Sequence, residues 1–133
     1  MANIANVTVK KADGTTDIVY TAINGSSGDK GEAFWRQEDV TLPQGLRPTI
    51  KMSTSDNGSK TARKVHLEFL RPTAYTDSTT GLKKQALVNY GSADFLLSKD
   101  AVDAEIAEAV HQFTNFIVIT AVRDSIKAGF SPT

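Results

Sequence analysis

The sequence predicts an α+β protein: an N-terminal β-hairpin, an antiparallel β-sheet of about five strands, and two C-terminal α-helices. Three observations predict it. Alternating apolar and polar residues flank turn dipeptides at Asp13-Gly14 and Asn57-Gly58, a strong short-range hairpin signal. From Ser98 onward the apolar residues recur at helical spacing instead. Strands in one run followed by helices in another specify a segregated α+β arrangement.

The elements follow in order. Val7–Lys10 and Asp17–Thr21 flank Asp13-Gly14 and form the N-terminal hairpin, within residues 1–24. Gly25 to Gly31 is a polar Gly/Ser loop, and Ala33-Phe34-Trp35 opens a short strand before Pro43, Gly45 and Pro48 break regularity. The main sheet spans 32–97. Its centre is the pair of runs Thr49–Ser53 and Lys64–Leu70, which place Ile50 and Met52 with Val65, Leu67 and Phe69 on an apolar face. Thr49, Lys51 and Ser53 with His66, Glu68 and Leu70 form the wet face, as in an antiparallel sheet covered on one side. Residues 73–84 show no apolar period and read as a long exposed loop. Gln85 to Asp94 reads as a further strand, with Gly91 as a weak point or bulge.

Helices are expected over 98–128. Ser98 is a candidate N-cap, Val102, Ile106, Ala109, Val110 and Phe113 recur at helical spacing, and Asp100 and Asp103 suit the first turn. Asn115 is a candidate cap for a second helix that contains the apolar run Phe116–Val122 and ends at Gly129. A helix apolar almost all round needs more cover than one sheet face offers, which argues for a partner subunit.

Composition bounds the function classes. At 133 residues with 40% hydrophobic and 23% charged, the chain is of ordinary globular composition and reads as one domain, 1–133. No apolar run is long enough to span a bilayer, and Met1 to Asn6 lacks the regions of a signal peptide, so no membrane is expected and the cytoplasm is the expected setting. With Cys at 0, thiolate metal sites and thiol nucleophiles are excluded. There is no Gly-rich phosphate loop, nucleophile elbow or His-x-x-x-His pair, so no enzyme, metal or cofactor is expected.

Net charge is zero but segregated. Arg47 to Arg71 carries six basic residues against two acidic, and Asp94 to Glu108 carries five acidic against one basic. Two solvated faces of opposite sign account for this, as does a protein with one face toward polyanion. Trp35 reads as a core or interface anchor, His111 as a surface residue, and Tyr75 and Tyr90 as packing residues. His66 on the wet face fits RNA contact and plain solvent exposure equally well. The acidic helix start explains Asp100, Asp103, Glu105 and Glu108 without a metal.

Five short motifs occur in order over nearly the whole chain: Gly31-Glu-Ala-Phe-Trp35; Asn57-Gly-Ser-Lys-Thr-Ala62 with Val65-His-Leu-Glu-Phe69; Pro72-Thr-Ala-Tyr-Thr76; Lys84-Gln-Ala-Leu-Val-Asn89; and Ser98-Lys-Asp-Ala-Val-Asp103. Their order and spacing resemble those of the coat proteins of single-stranded RNA bacteriophages, the levivirus coat protein family. The resemblance implies an interlocked homodimer with a continuous intersubunit sheet, assembling into an icosahedral capsid around genomic RNA. It further implies an RNA hairpin operator, bound on the sheet, through which the coat protein acts as translational repressor and marks the genome for packaging. A maturation protein is a further candidate partner, and the implied location is the virion, assembled in the bacterial host cytoplasm.

Carried over residue by residue, the resemblance implies an RNA-binding set of Thr49, Lys51, His66, Glu68, Leu87 and Asn89. Thr49 and Asn89 offer a hydroxyl and an amide for base edges or phosphates. Glu68 departs from the pattern, since it stands where the family often has a lysine. Leu87 departs too, replacing a tyrosine that stacks on a base in some members. Arg63 and Lys64 are the candidates to restore phosphate contacts. The rival classes are a non-viral dimeric β-sheet RNA-binding protein or repressor that forms no shell, and a non-RNA adaptor using the same sheet.

Overall fold

The computed structural model describes residues 3–133. It comprises a sheet unit ending at Leu96 and a helical unit beginning at Leu97. The sheet is a six-stranded antiparallel meander in chain order. Its strands are β1 (Val7–Lys10), β2 (Asp17–Asn24), β3 (Glu32–Arg36), β4 (Thr49–Asp56), β5 (Ala62–Thr76) and β6 (Lys83–Ser98). The helices are α1 (Asp103–Ile117) and α2 (Thr120–Ala128), and a single 3-10 turn covers Gln44–Leu46. The N-terminal hairpin is thus continuous with the main sheet.

The β1–β2 turn runs from Lys11 to Thr16, whose backbones pair at 2.8 Å, with Gly14 in the left-handed region at φ 74°. The Thr16 hydroxyl and the Thr16 and Thr15 amides donate to the Asp13 carboxylate and hold its pKa down at about 2. In the central hairpin Ile50 pairs with Phe69 and Met52 with Leu67, so the two faces sort as the alternation predicts. The turn itself is longer than a two-residue Asn-Gly turn. It spans Asn57 to Thr61, and the residue in the left-handed region is Lys60 at φ 58°, not Gly58. Asn57 closes it, because its Oδ1 accepts from the amides of Thr61 and Ala62.

Several expected boundaries are corrected. Residues 73–84 are half strand: β5 continues to Thr76 and β6 starts at Lys83, leaving a six-residue connection closed by Asp77 N–H to Leu82 O at 2.8 Å. Across the strands the Thr73 hydroxyl donates to Leu87 O and accepts from Leu87 N–H, so a side chain supplies the pairing near Pro72, which has no N–H. β6 runs on through Gly91. Ser98 is not the helix cap. It ends β6, its hydroxyl accepts from the Asp100 amide, and α1 begins after Val102. Asn115 lies inside α1, and the apolar run is split by the connection at Val118 and Ile119, where two β-branched residues stand side by side. Gly129 does terminate α2, at φ 78°, with Phe130 N–H returning to Ser125 O.

The chain alone encloses little. Among the described residues the buried apolar side chains are Tyr20, Leu46 and Ala62 with the prolines Pro48 and Pro72. Tyr20 meets the edge of Phe69 at 6.3 Å between centroids. Since β3 and β4 lie between their strands, this contact requires a strongly curled sheet. Trp35 lies on the apolar face beside Ile50 and donates its indole N–H to Ala5 O at 2.8 Å, which ties the N-terminal segment to β3. Phe116, Val118, Ile119, Ile126 and Phe130 in the helical unit are all at least half exposed. No described helix is long and apolar enough to cross a membrane.

Candidate nucleic-acid interface

The polar sheet face is built from three adjacent strands. Pairing sets Phe34 and Thr49 beside Lys51 and Leu70, with Lys51 opposite Glu68, Ser53 opposite His66 and Ser55 opposite Lys64. Strand alternation then puts all of these side chains on one face. Phe34, Thr49, Lys51, Glu68 and Leu70 line a shallow depression there. Lys51 Nζ stands 6.0 Å over the Phe34 ring and 4.0 Å from Glu32 Oε2, a cation held over an aromatic face with one distant carboxylate. Lys64 has no carboxylate partner among the described residues, so it and Lys51 are the cations this face offers.

Arg63 is not brought to this face. It pairs with Asp56 across the hairpin on the opposite face, and its guanidinium takes both oxygens of Asp29 at 2.6 and 2.9 Å and Asp56 Oδ1 at 2.8 Å. Those hydrogen bonds, to Asp29 first and Asp56 second, raise its pKa further and fasten the Gly/Ser loop to the central hairpin. Arg47 is likewise engaged, with Glu38 at 2.7 Å and Leu42 O at 3.2 Å. A surplus of basic residues in the sequence therefore becomes a much smaller surplus on the surface.

His66 is the most connected group of the face. Its Nε2 lies 2.9 Å from Glu68 Oε1 and its Nδ1 2.5 Å from Asp94 Oδ1, which joins β5 to β6. Hydrogen bonds to Asp94 first and Glu68 second raise its pKa above the ordinary imidazole value. Ser53 faces it across the ladder, yet both ring nitrogens are occupied by carboxylates, so no hydroxyl is activated. Leu87 and Asn89 lie on β6, both exposed, and are not drawn into this cluster.

Glu32, Phe34, Ser55 and Asp94 are the face residues missed in the sequence. The first two carry a signal, since Glu32 and Phe34 alternate with Ala33 and Trp35 in a strand whose Trp faces the apolar side. Asp94 carries none, because it joins the face only through the pairing of β5 with a strand 28 residues distant.

No family model matches the sequence, and no curated protein does. Solved structures do. The subunit in the virus-like particle of bacteriophage NT-214 matches with a TM-score of 0.84, covering 99% of each chain at 14% identity. That of Beihai levi-like virus 21 matches at 0.83, covering 99% of this chain and 98% of its own, again at 14% identity. The bacteriophage GA capsid protein matches at 0.77, covering 98% of each chain at 14% identity. The chain has the levivirus coat-protein fold. The likeness runs from end to end in both directions, so no part of the six strands and two helices is left over as a separate module. The matched proteins belong to virus-like particles and to a phage capsid.

Proposed function

We propose that this chain is a capsid protein that dimerises through β6 and its helices and closes into an icosahedral shell around single-stranded RNA. The full-length likeness to subunits of virus-like particles carries this reading. Two physical features support it. β6 is a sixteen-residue edge strand with an unpaired outer backbone, a template for pairing that soluble monomers avoid. The helical unit exposes large apolar side chains that a monomer gains nothing by showing to water. Pairing of two β6 edges and mutual cover of the helices answer both at once.

In this reading the polar sheet face lines the shell interior and Lys51 and Lys64 meet phosphates. An RNA hairpin bound there acts as operator and packaging signal, and a maturation protein and assembly in the bacterial cytoplasm follow the same reading. Expression of the chain alone in bacteria, followed by gel filtration and negative-stain imaging, tests it. Particles of megadalton mass containing RNA are expected. A stable species of about twice 14.3 kDa would instead support a β-sheet RNA-binding repressor that builds no shell.

The same preparation tests the RNA face. Lys51→Ala with Lys64→Ala removes one partly exposed and one exposed cation, so stability should change little. Affinity for single-stranded RNA should fall roughly tenfold or more at 0.1 M salt, and the salt dependence should become shallower by about 1.4 logarithmic units per decade. Unchanged affinity and unchanged slope, measured by anisotropy across a salt series, would place the RNA elsewhere.

A further inference from the structure

Glu68 and Asp94 set a problem that a polyanion-facing surface has to solve. Both carboxylates stand on the polar face beside the residues assigned above to phosphate, and both are joined to one imidazole. A neutral imidazole has one N–H and one lone pair, so it satisfies only one of two carboxylates. With both ring nitrogens at hydrogen-bond distance from carboxylate oxygens, the arrangement is complete only with the imidazolium, which donates to each. In that state the three groups carry a net charge of −1. After deprotonation they carry −2, and a nitrogen lone pair faces a carboxylate oxygen.

We infer that the Asp94–His66–Glu68 bridge makes RNA binding by this face proton-linked, with the imidazolium masking two carboxylates and its loss exposing them to phosphate. This deepens the RNA-facing reading of the sheet and rests on it. The groups facing His66 are Glu68 and Lys64 along β5, Asp94 on β6, neutral Ser53 opposite on β4 with Lys51 and Ser55 beside it, and Glu32 on β3 beyond Ser53. The sign follows from the same contacts. Acceptors on both sides favour the charged ring and raise its pKa, so the bridge is intact below that pKa and is lost as pH rises through it. The only other imidazole, His111, lies on α1 in the helical unit.

The test uses the full-length protein and a labelled oligouridylate, with anisotropy titrations from pH 5.5 to 8.5 and histidine proton shifts followed in parallel. One unit of charge on a surface that binds single-stranded RNA is worth roughly fivefold at 0.1 M salt. The parent should therefore bind about fivefold more weakly at the alkaline end, with a midpoint that coincides with the His66 titration. His66→Gln should bind equally at all pH values, near the parent's alkaline affinity. Asp94→Asn should lower the midpoint and raise affinity throughout, while His111→Gln should keep the parent's profile. A parent whose affinity is flat with pH, or a His66→Gln variant that keeps the dependence, overturns the inference and leaves the RNA-facing reading standing. No binding at any pH overturns both.

Discussion

Tyr20→Ala is expected to cost about 3–5 kcal/mol of stability, the range for truncating a large aromatic in a packed site. That is a large fraction of the roughly 5–15 kcal/mol that holds a domain together. The site has few rivals, since Tyr20 is 3% exposed and only Leu46, Ala62 and the prolines Pro48 and Pro72 join it as buried apolar residues among those described. Its ring meets Phe69 edge-on at 6.3 Å and 65°, so the loss includes an aromatic pair as well as buried area. It also removes the contact by which the curled sheet closes β2 toward β5. Tyr20→Phe keeps that contact and should stay within about 1 kcal/mol of the parent. Val40→Ala, at a site 88% exposed, should be indistinguishable from it. Urea unfolding of the three variants measures this, and a Tyr20→Ala midpoint equal to that of Val40→Ala would show that the sheet holds its curl by other means.

The parts of the fold legible in the sequence are those fixed by neighbours in sequence. Hairpins β1–β2 and β4–β5 each set their register through one short turn, so alternation alone sorts Ile50, Met52, Leu67 and Phe69 to one face. The stretch after Pro72 was not legible, because its pairing does not rest on apolar alternation. Thr73 uses its hydroxyl on the Leu87 backbone, and Lys84 reaches Asp77 at 2.8 Å to close the turn, so polar residues that read as loop hold a hairpin together. At the helices, helical period was visible but boundaries were not. Ser98 is an apt N-cap by type, yet it is engaged in ending β6, and Val102 starts α1 with no side-chain cap at all.

The candidate site divides in the same way. Thr49, Lys51, Lys64, His66 and Glu68 lie on one local hairpin, and the structure brings them to one face as their spacing requires. Arg63 shares that hairpin but has the other parity, and Asp29 and Asp56 engage it. Glu68 looked like a repulsive intruder on a basic strand. Its contact with His66 shows what offsets that charge, and Asp94, 28 residues farther on, explains why the histidine is there. No local pattern encodes such a pairing, since it depends on where β6 comes to rest beside β5.

Ile119→Asp is expected to abolish assembly while leaving the helices formed. Ile119 is 52% exposed, flanked by Phe116 and Val118 at 54% and 51%. In the proposed dimer this patch is covered by the partner subunit. Burying a side chain of this size contributes about 1.5–3 kcal/mol per subunit, and a lone carboxylate in its place would have to enter the interface without a counter-ion, which costs far more. The position makes the experiment clean. Ile119 is the N-cap residue of α2, with extended backbone at φ −63° and ψ 134° and no side-chain cap. Aspartate is among the preferred residues there, accepting from the free amides of the first turn and complementing the helix dipole, typically for about 1 kcal/mol. The substitution therefore strengthens α2 locally while it spoils the surface next to it. Helical circular dichroism should be retained or slightly raised, and gel filtration should show small, aggregation-prone species with no particles. Ile119→Asn supplies the cap without the charge, and should assemble weakly rather than not at all. Shells of normal size from Ile119→Asp would exclude this patch from the subunit interface.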